Sequence, residues 1–209
     1  MAVLIYTETA KGKIKKSSLE AVNYGNHIAA LTNTTATALI IGEASNDDIV
    51  ALGNAGAKKI LHLKNDKLAS QDPQLLVIAT EQAAAAENAE VIIFLHDFTG
   101  KAVAPRLSAS IKAGLIAGAV SYPVLEGGFS IKKNLFSGKA IADYSITSAK
   151  KIISLLPNSF PVTLSENTAE LVNFSVNLDG IESRIKVKEV NKQSAISLAF
   201  AFRNACHLN

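Results

Sequence analysis

The chain has 209 residues, 48% of them hydrophobic and 19% charged, which is enough apolar material for a buried core and argues against disorder. A net charge of +3 is too small for the dense basic stripe a nucleic-acid binder needs. The nearest approach to one, Lys11, Lys13, Lys15 and Lys16, reads as a solvated turn. The single cysteine, Cys206, allows no internal disulfide and fits a reducing compartment. The apolar start MAVLIYTETA is too short for a signal segment and has no basic residues ahead of it. No apolar stretch reaches membrane-spanning length, so the expectation is a soluble, cytoplasmic protein without membrane insertion.

The first half alternates strand and helix signals. Val3–Thr7 is an apolar run that predicts a buried strand. Ser17 and Ser18 are placed to cap a helix with Glu20 in its first turn, followed by Leu19, Val22, Gly25 and Ala29 at helical spacing. Ala36–Ile41 predicts a second strand, closed by Gly42. Asn46 is then expected to cap a short helix carrying Ile49, Val50 and Leu52, and Lys59–Leu63 to form a third strand. Asp72-Pro73 opens the next helix, because proline is tolerated in a first turn, and the Ala83–Ala86 run continues it. Glu90–Leu95 predicts a fourth strand. Nearly continuous apolar strands separated by helices imply an α/β fold: a parallel central sheet with helices on both faces.

Beyond Gly114 the pattern changes. Val120–Leu125, Phe129–Phe136, Lys139–Thr147 and Lys151–Leu156 read as strands joined by short turns, which predicts an antiparallel strand extension. Lys132 and Asn134 fall on one face of their strand. Pro157 and Pro161 break the chain. Two more strand candidates follow, Val172–Leu178 and Arg184–Val190, and the apolar stretch Ala195–Asn209 suggests a short helix.

The segment richest in signals is Val91–Gly114. A buried strand ends at Leu95, polar residues follow, and a helix is expected to begin near Lys101–Pro105 with Val103, Leu107 and Ile111 on one face. Ligands of open parallel sheets sit beyond the carboxyl ends of strands, where helix amides favour anions. Thr99-Gly100-Lys101 therefore reads either as a phosphate cradle or as an ordinary turn capped by Thr99. It lacks the glycine-to-lysine spacing of a P-loop. Pro105 is expected to fix the helix entry, and Arg106 to serve either a salt bridge within the fold or an interface.

Thr99-Gly100 followed by Pro105-Arg106-Leu107-Ser108-Ala109 resembles the Thr-x-x-Gly…Pro-Arg-x-Ala segment in domain I of electron-transfer flavoprotein alpha subunits. The opening MAVLIYTETAKGKIKKSSLEAVNYGNHIA, the hairpin GGFSIKKNLFSGKAIADYSI and the strand KKIISLLPNSF resemble that family in the same order. The resemblance covers residues 1–192, and the tail 193–209 matches nothing recognised in the family. It implies a Rossmann-like fold of the adenine-nucleotide alpha-hydrolase type, and a scaffold role in an FAD-containing heterodimer with a beta subunit. The heterodimer carries electrons from acyl-CoA or other dehydrogenases to a respiratory acceptor. In this family domain I of the alpha subunit usually holds no nucleotide, whereas the beta subunit holds AMP. The Thr99-Gly100-Lys101 turn corresponds to that AMP loop. The FAD lies mainly on a second domain, whose Ser-Gly-Gly-Arg-Gly and Gly-Gln-Thr-Gly motifs do not occur in this sequence. The resemblance thus implies that this chain alone binds no FAD. A free-standing module binding AMP or ATP is the alternative.

No catalytic or metal-ligating constellation emerges. His27, His62, His96 and His207 lack metal-ligand spacing. His96-Asp97 with Ser108 or Ser110 resembles a triad only superficially, because no Gly-x-Ser-x-Gly elbow is present. Asp143-Tyr144 is expected in an exposed or edge strand.

Overall fold

The computed structural model describes residues 2–10, 12–185 and 188–189. In chain order the elements are β1 (Ala2–Thr7), β2 (Thr9–Ala10), β3 (Lys13–Ile14), α1 (Lys16–Leu31), β4 (Thr35–Ile41), α2 (Asn46–Asn54), β5 (Lys59–Leu63), α3 (Pro73–Ala86) and β6 (Ala89–Leu95). They continue with α4 (Phe98–Ile111), β7 (Gly114–Ala119), β8 (Phe129–Leu135), β9 (Ala140–Ile146), β10 (Lys151–Leu155) and β11 (Glu170–Phe174).

The strands form one nine-stranded sheet in the order β11-β5-β4-β1-β6-β10-β7-β8-β9, while β2 and β3 make a separate two-stranded ribbon. The seven strands from β11 to β7 are parallel, and β8 and β9 add antiparallel at one end. The predicted α/β class, with its antiparallel extension, is what the chain forms.

Every residue of β1 is buried, and successive side chains serve opposite faces. Val3 and Ile5 pack with Val22, Tyr24 and Ile28 of α1 and Leu52 of α2. Leu4 and Tyr6 pack with Leu75 and Ala79 of α3 and Val103 and Leu107 of α4. A sheet covered on both faces needs apolar residues at every strand position, which is why these segments are continuous runs rather than alternating ones. Gly25 lets α1 lie against the sheet: a Cβ there would stand 2.6 Å from Cγ1 of Ile5.

The starts of α1 and α2 differ from expectation. Residue Lys15 occupies the N-cap of α1 without a side-chain cap, and Ser18 is buried inside the helix. Its hydroxyl instead accepts from the Glu8 N–H at 3.0 Å. Ser45, not Asn46, caps α2 through a reciprocal box with Asp48. Asp72 and Pro73 open α3 as predicted, with the Asp72 carboxylate accepting the Gln74 N–H.

The second half is partly rewired. The strand expected at Val120–Leu125 lies earlier, at Gly114–Ala119, and beyond it only Val124 bridges to Ser130. Pro123, which has no N–H, interrupts the ladder there. Residues Lys151–Leu155 do not join the antiparallel hairpin: they insert between β6 and β7, parallel to both. Their physical reason is burial, since Ile152, Ile153 and Leu155 are fully covered and fit only a central strand. The β8–β9 hairpin is therefore part of the connection that carries the chain back to a parallel position. Lys132 and Asn134 are both exposed on one side of β8, as their spacing predicted. The strand expected at Val172–Leu178 spans Glu170–Phe174 and pairs parallel with β5. Of the strand expected at Arg184–Val190, Arg184 and Ile185 are irregular and part of the rest lies outside the described residues, as does all of the tail 193–209.

Candidate functional site at the carboxyl edge of the sheet

Strand β1 lies between β4 on one side and β6 on the other, so the chain reverses its winding direction there. Open α/β sheets bind ligands at such a switch point, beyond the carboxyl ends of the strands. Four side chains meet at this place: Glu8 after β1, Lys15 before α1, and Asp97 and Thr99 at the start of α4.

Helix α4 begins at Phe98, earlier than the Lys101–Pro105 start the sequence suggested. Asp97 is its cap, accepting the Gly100 N–H at 2.9 Å, so Thr99 is not the capping residue. Thr99 is buried in the first turn and its hydroxyl donates to Oε1 of Glu8 at 3.4 Å. Gly100 is required by packing: a Cβ would fall 1.8 Å from the Leu95 carbonyl oxygen. Lys101 is exposed, and its N–H donates to the Asp97 carbonyl. Thr99, Gly100 and Lys101 are thus adjacent at the crevice, but the threonine hydroxyl already faces a carboxylate.

Glu8 is the residue the sequence reading passed over. Its Oε1 lies 2.6 Å from Nζ of Lys15, and its Oε2 is buried without a hydrogen-bond partner. Its backbone is fixed as well, with the carbonyl accepting from the Lys15 N–H at 3.1 Å and from the Ser18 hydroxyl at 3.3 Å. Burial, and then the adjacent Asp97 carboxylate, push the Glu8 pKa above the ordinary glutamate value, while Lys15 opposes the rise. A glutamate directly after a fully apolar strand was the available signal, since such a carboxylate stands at the ligand edge.

A cavity of about 330 Å³ opens beyond β1, β4 and β5, lined among others by Tyr6, Gly42, Glu43, Lys64, Asp66 and Gln71. Glu43 and Lys64 pair across its rim at 3.2 Å. On the other side of α4, His96 Nδ1 lies 3.0 Å from the Ser154 hydroxyl. Partial burial and the nearby Lys101 and Lys133 lower the His96 pKa.

The superficial triad does not assemble. The Ser108 hydroxyl donates to the Ala113 carbonyl at 2.6 Å and that of Ser110 to Glu81 at 2.6 Å. His62 is buried and bonded to the Gly42 carbonyl, and the His27 ring lies tilted against that of Tyr122 at 4.1 Å. Among the described residues no group of three metal-ligating side chains exists, and no helix is long and apolar enough to cross a membrane. Asp143 and Tyr144 are exposed on β9.

Pro105 stands inside α4 rather than at its entry. Lacking an N–H, it cannot return the bond that the Lys101 carbonyl would otherwise receive. Arg106 is exposed and its guanidinium folds back to donate to the Ala102 carbonyl. Among the described residues it forms no salt bridge.

A parallel sheet clad on both faces, with a crevice at its switch point, defines an α/β domain built in the manner of nucleotide-binding folds. The model of the electron transfer flavoprotein domain matches residues 3–179, and the chain belongs to that family. The family is FAD-linked and consists of electron carriers rather than catalysts. The chain is 25% identical over 197 residues to the electron transfer flavoprotein subunit alpha of Bacillus subtilis (strain 168), covering 92% of this chain and 59% of that protein. It is 20% identical over 196 residues to the alpha subunit of Thermoanaerobacterium thermosaccharolyticum, with the same coverages of 92% and 59%. To the alpha subunit of Clostridium acetobutylicum it is 27% identical over 124 residues, covering 58% of this chain and 36% of that one. The chain thus matches about three-fifths of the length of the first two relatives.

Proposed function

We propose that this chain is the domain-I scaffold of an electron transfer flavoprotein alpha subunit, which docks a beta subunit and itself grips no flavin. The complete heterodimer would hold FAD and shuttle electrons from dehydrogenases to a respiratory acceptor in the cytoplasm.

The observation that carries this reading is the open edge of the sheet at β9. Lys132 directs its backbone toward β7 and the segment after it: its carbonyl accepts from Val120 and its N–H donates to the Ser121 hydroxyl. The alternate residues Phe129, Ile131, Lys133 and Leu135 must then face β9, where they oppose Ile146, Tyr144, Ala142 and Ala140. That leaves the backbone groups of Ile141, Asp143 and Ser145 pointing outward with no strand beside them among the described residues. Around this edge Phe136 is 78% exposed, Ile141 66% and Tyr144 41%. An unpaired edge with apolar side chains is a surface on which a partner's strand can add. Pro105 and Arg106, exposed on α4, are a second interface candidate.

The crevice residues do not fit a flavin dinucleotide. A pyrophosphate at the β1–β6 switch point would meet the carboxylates of Glu8 and Asp97, with the ion-paired Lys15 as the cation beside them. A nucleotide module built on Thr99, Gly100 and Lys101 is the second reading; the cavity that Gly100 and Lys101 line, with His96 and Ser154, is about 70 Å³. Flavin content decides the first point. The purified chain is expected to be colourless, and stoichiometric bound FAD contradicts the proposed placement of the cofactor. Calorimetry with AMP, ADP and ATP addresses the second, and no heat at millimolar nucleotide removes that reading.

A further inference from the structure

We propose that Glu8 is a resident anion: its carboxylate fills the place in the β1–β6 crevice that an oxyanion of the phosphate or sulfate type would take, and neutralising it opens the crevice to such an anion. This inference concerns the chain's own crevice and does not depend on a beta subunit.

The donors around Glu8 are those of an oxyanion cradle. The Lys15 ammonium is 2.6 Å from Oε1 and the Thr99 hydroxyl 3.4 Å from it. Lys15 comes from the N-cap position of α1, while Thr99 stands in the first turn of the 14-residue helix α4, whose first-turn N–H groups have no partner inside the helix. Asp97 takes one of these, the Gly100 N–H.

The carboxylate is an imperfect occupant. Glu8 Oε2 is buried and makes no hydrogen bond, so one of its two oxygens is left without a donor. The charged and titratable groups facing it are Asp97 from the β6–α4 turn, Lys15 from the junction before α1, and Tyr6 on β1. With Glu8 ionised the crevice holds two carboxylates against one ammonium and repels anions. With Glu8 neutral, Lys15 balances Asp97, the repulsion falls, and the Thr99 hydroxyl is held by an uncharged acceptor that an incoming oxyanion can displace. Burial and Asp97 raise the Glu8 pKa, so this change falls above the ordinary glutamate range.

The test follows backbone amide shifts of Thr99 and Gly100 in the full chain during titration with sulfate, which stays dianionic, at constant ionic strength set with chloride. At neutral pH the E8Q and E8A variants should bind sulfate about tenfold more tightly than wild type, the effect of removing one like charge from a half-buried site. Wild-type affinity should rise as pH falls through the Glu8 titration, whereas that of E8Q should stay level across the same window. AMP as a second probe separates sources: a matching gain for AMP identifies a nucleotide phosphate as an acceptable occupant, and a gain for sulfate alone restricts the crevice to a free oxyanion. The proposal is overturned if E8Q binds sulfate no better than wild type, or if wild-type binding changes with pH no more than that of E8Q. Should E8A fail to fold, the isosteric E8Q and the wild-type pH series still decide.

Discussion

The Glu20 carboxylate in α1 holds the backbone of Phe160, accepting its N–H at 2.9 Å across the whole length of the sheet connectivity. The same carboxylate takes the N–H groups of Ser159 at 2.8 Å and Asn158 at 2.9 Å. These donors follow β10, in a turn where Asn158 has a φ of 62°. Glu20 is only 3% exposed, and the three bonds it accepts are partly buried. Phe160 in turn meets Tyr24 edge-on at 4.7 Å, and the Tyr24 hydroxyl donates to the Ser121 carbonyl at 2.9 Å. One acidic residue thus ties the first helix to the chain leaving the sheet.

Replacing Glu20 with alanine should therefore destabilise the fold by about 2–4 kcal/mol, because a buried carboxylate side chain is lost and three partly buried donors lose their acceptor at once. Urea unfolding measures this. A loss within the range of an ordinary surface substitution contradicts the assigned role.

Gly100→Ala should be damaging for a different reason. The added methyl meets the backbone oxygen of Leu95, not a movable side chain. A cost of about 2–3 kcal/mol is expected from the forced shift of α4 against β6. A Tm equal to that of wild type would show that the helix relaxes without penalty.

The parts of this arrangement that the sequence announces are those with strong periodicity or capping chemistry. The apolar runs at β1, β4, β5 and β6 leave no other place for themselves than a covered parallel sheet, and Asp72-Pro73 marks a helix start unambiguously. The position of β10 was not legible, because a buried strand carries no label for parallel or antiparallel pairing and its neighbours in sequence form a hairpin. Strand β7 was missed because its GLIAGA composition has one β-branched residue, Ile116, and no aromatic, and Gly118, at a φ of 80°, sits beside the register shift between Ser154 and Leu155. The crevice was half legible. Thr99, Gly100 and Lys101 were found by their place after a strand, but their meaning depends on Glu8, which lies far away in sequence and reaches them only through the pairing of β1 with β6.

Glu8 also makes the stability of the protein depend on pH in a defined direction. A carboxyl group whose pKa is raised on folding gives its full contribution below the unfolded value and loses it as pH rises through the folded value. The stability of wild type relative to E8Q should accordingly fall from the ordinary glutamate pKa upward, and level off once Glu8 is ionised. Denaturation midpoints of the two proteins compared across this range measure the effect. Parallel curves would mean that Glu8 titrates normally. Asp97→Ala should lower the Glu8 pKa by removing the neighbouring charge, while costing about 1 kcal/mol through the lost cap of α4.

The β9 edge supplies a substitution that spares the fold. Asp143 directs its N–H away from β8, so Asp143→Pro removes an outward donor and leaves the ladder to β8 in place. Its circular dichroism should match wild type and its Tm should fall by no more than a few degrees, roughly the change that 1 kcal/mol produces in a domain of this size. Collapse of the hairpin would show that the N–H of Asp143 points inward.

Size-exclusion chromatography of the chain mixed with its cognate electron transfer flavoprotein beta subunit tests the scaffold reading most directly. Wild type should elute with the beta subunit as a one-to-one complex, and Asp143→Pro should elute apart from it. Separate elution of wild type and beta subunit, with both proteins folded, would contradict the account.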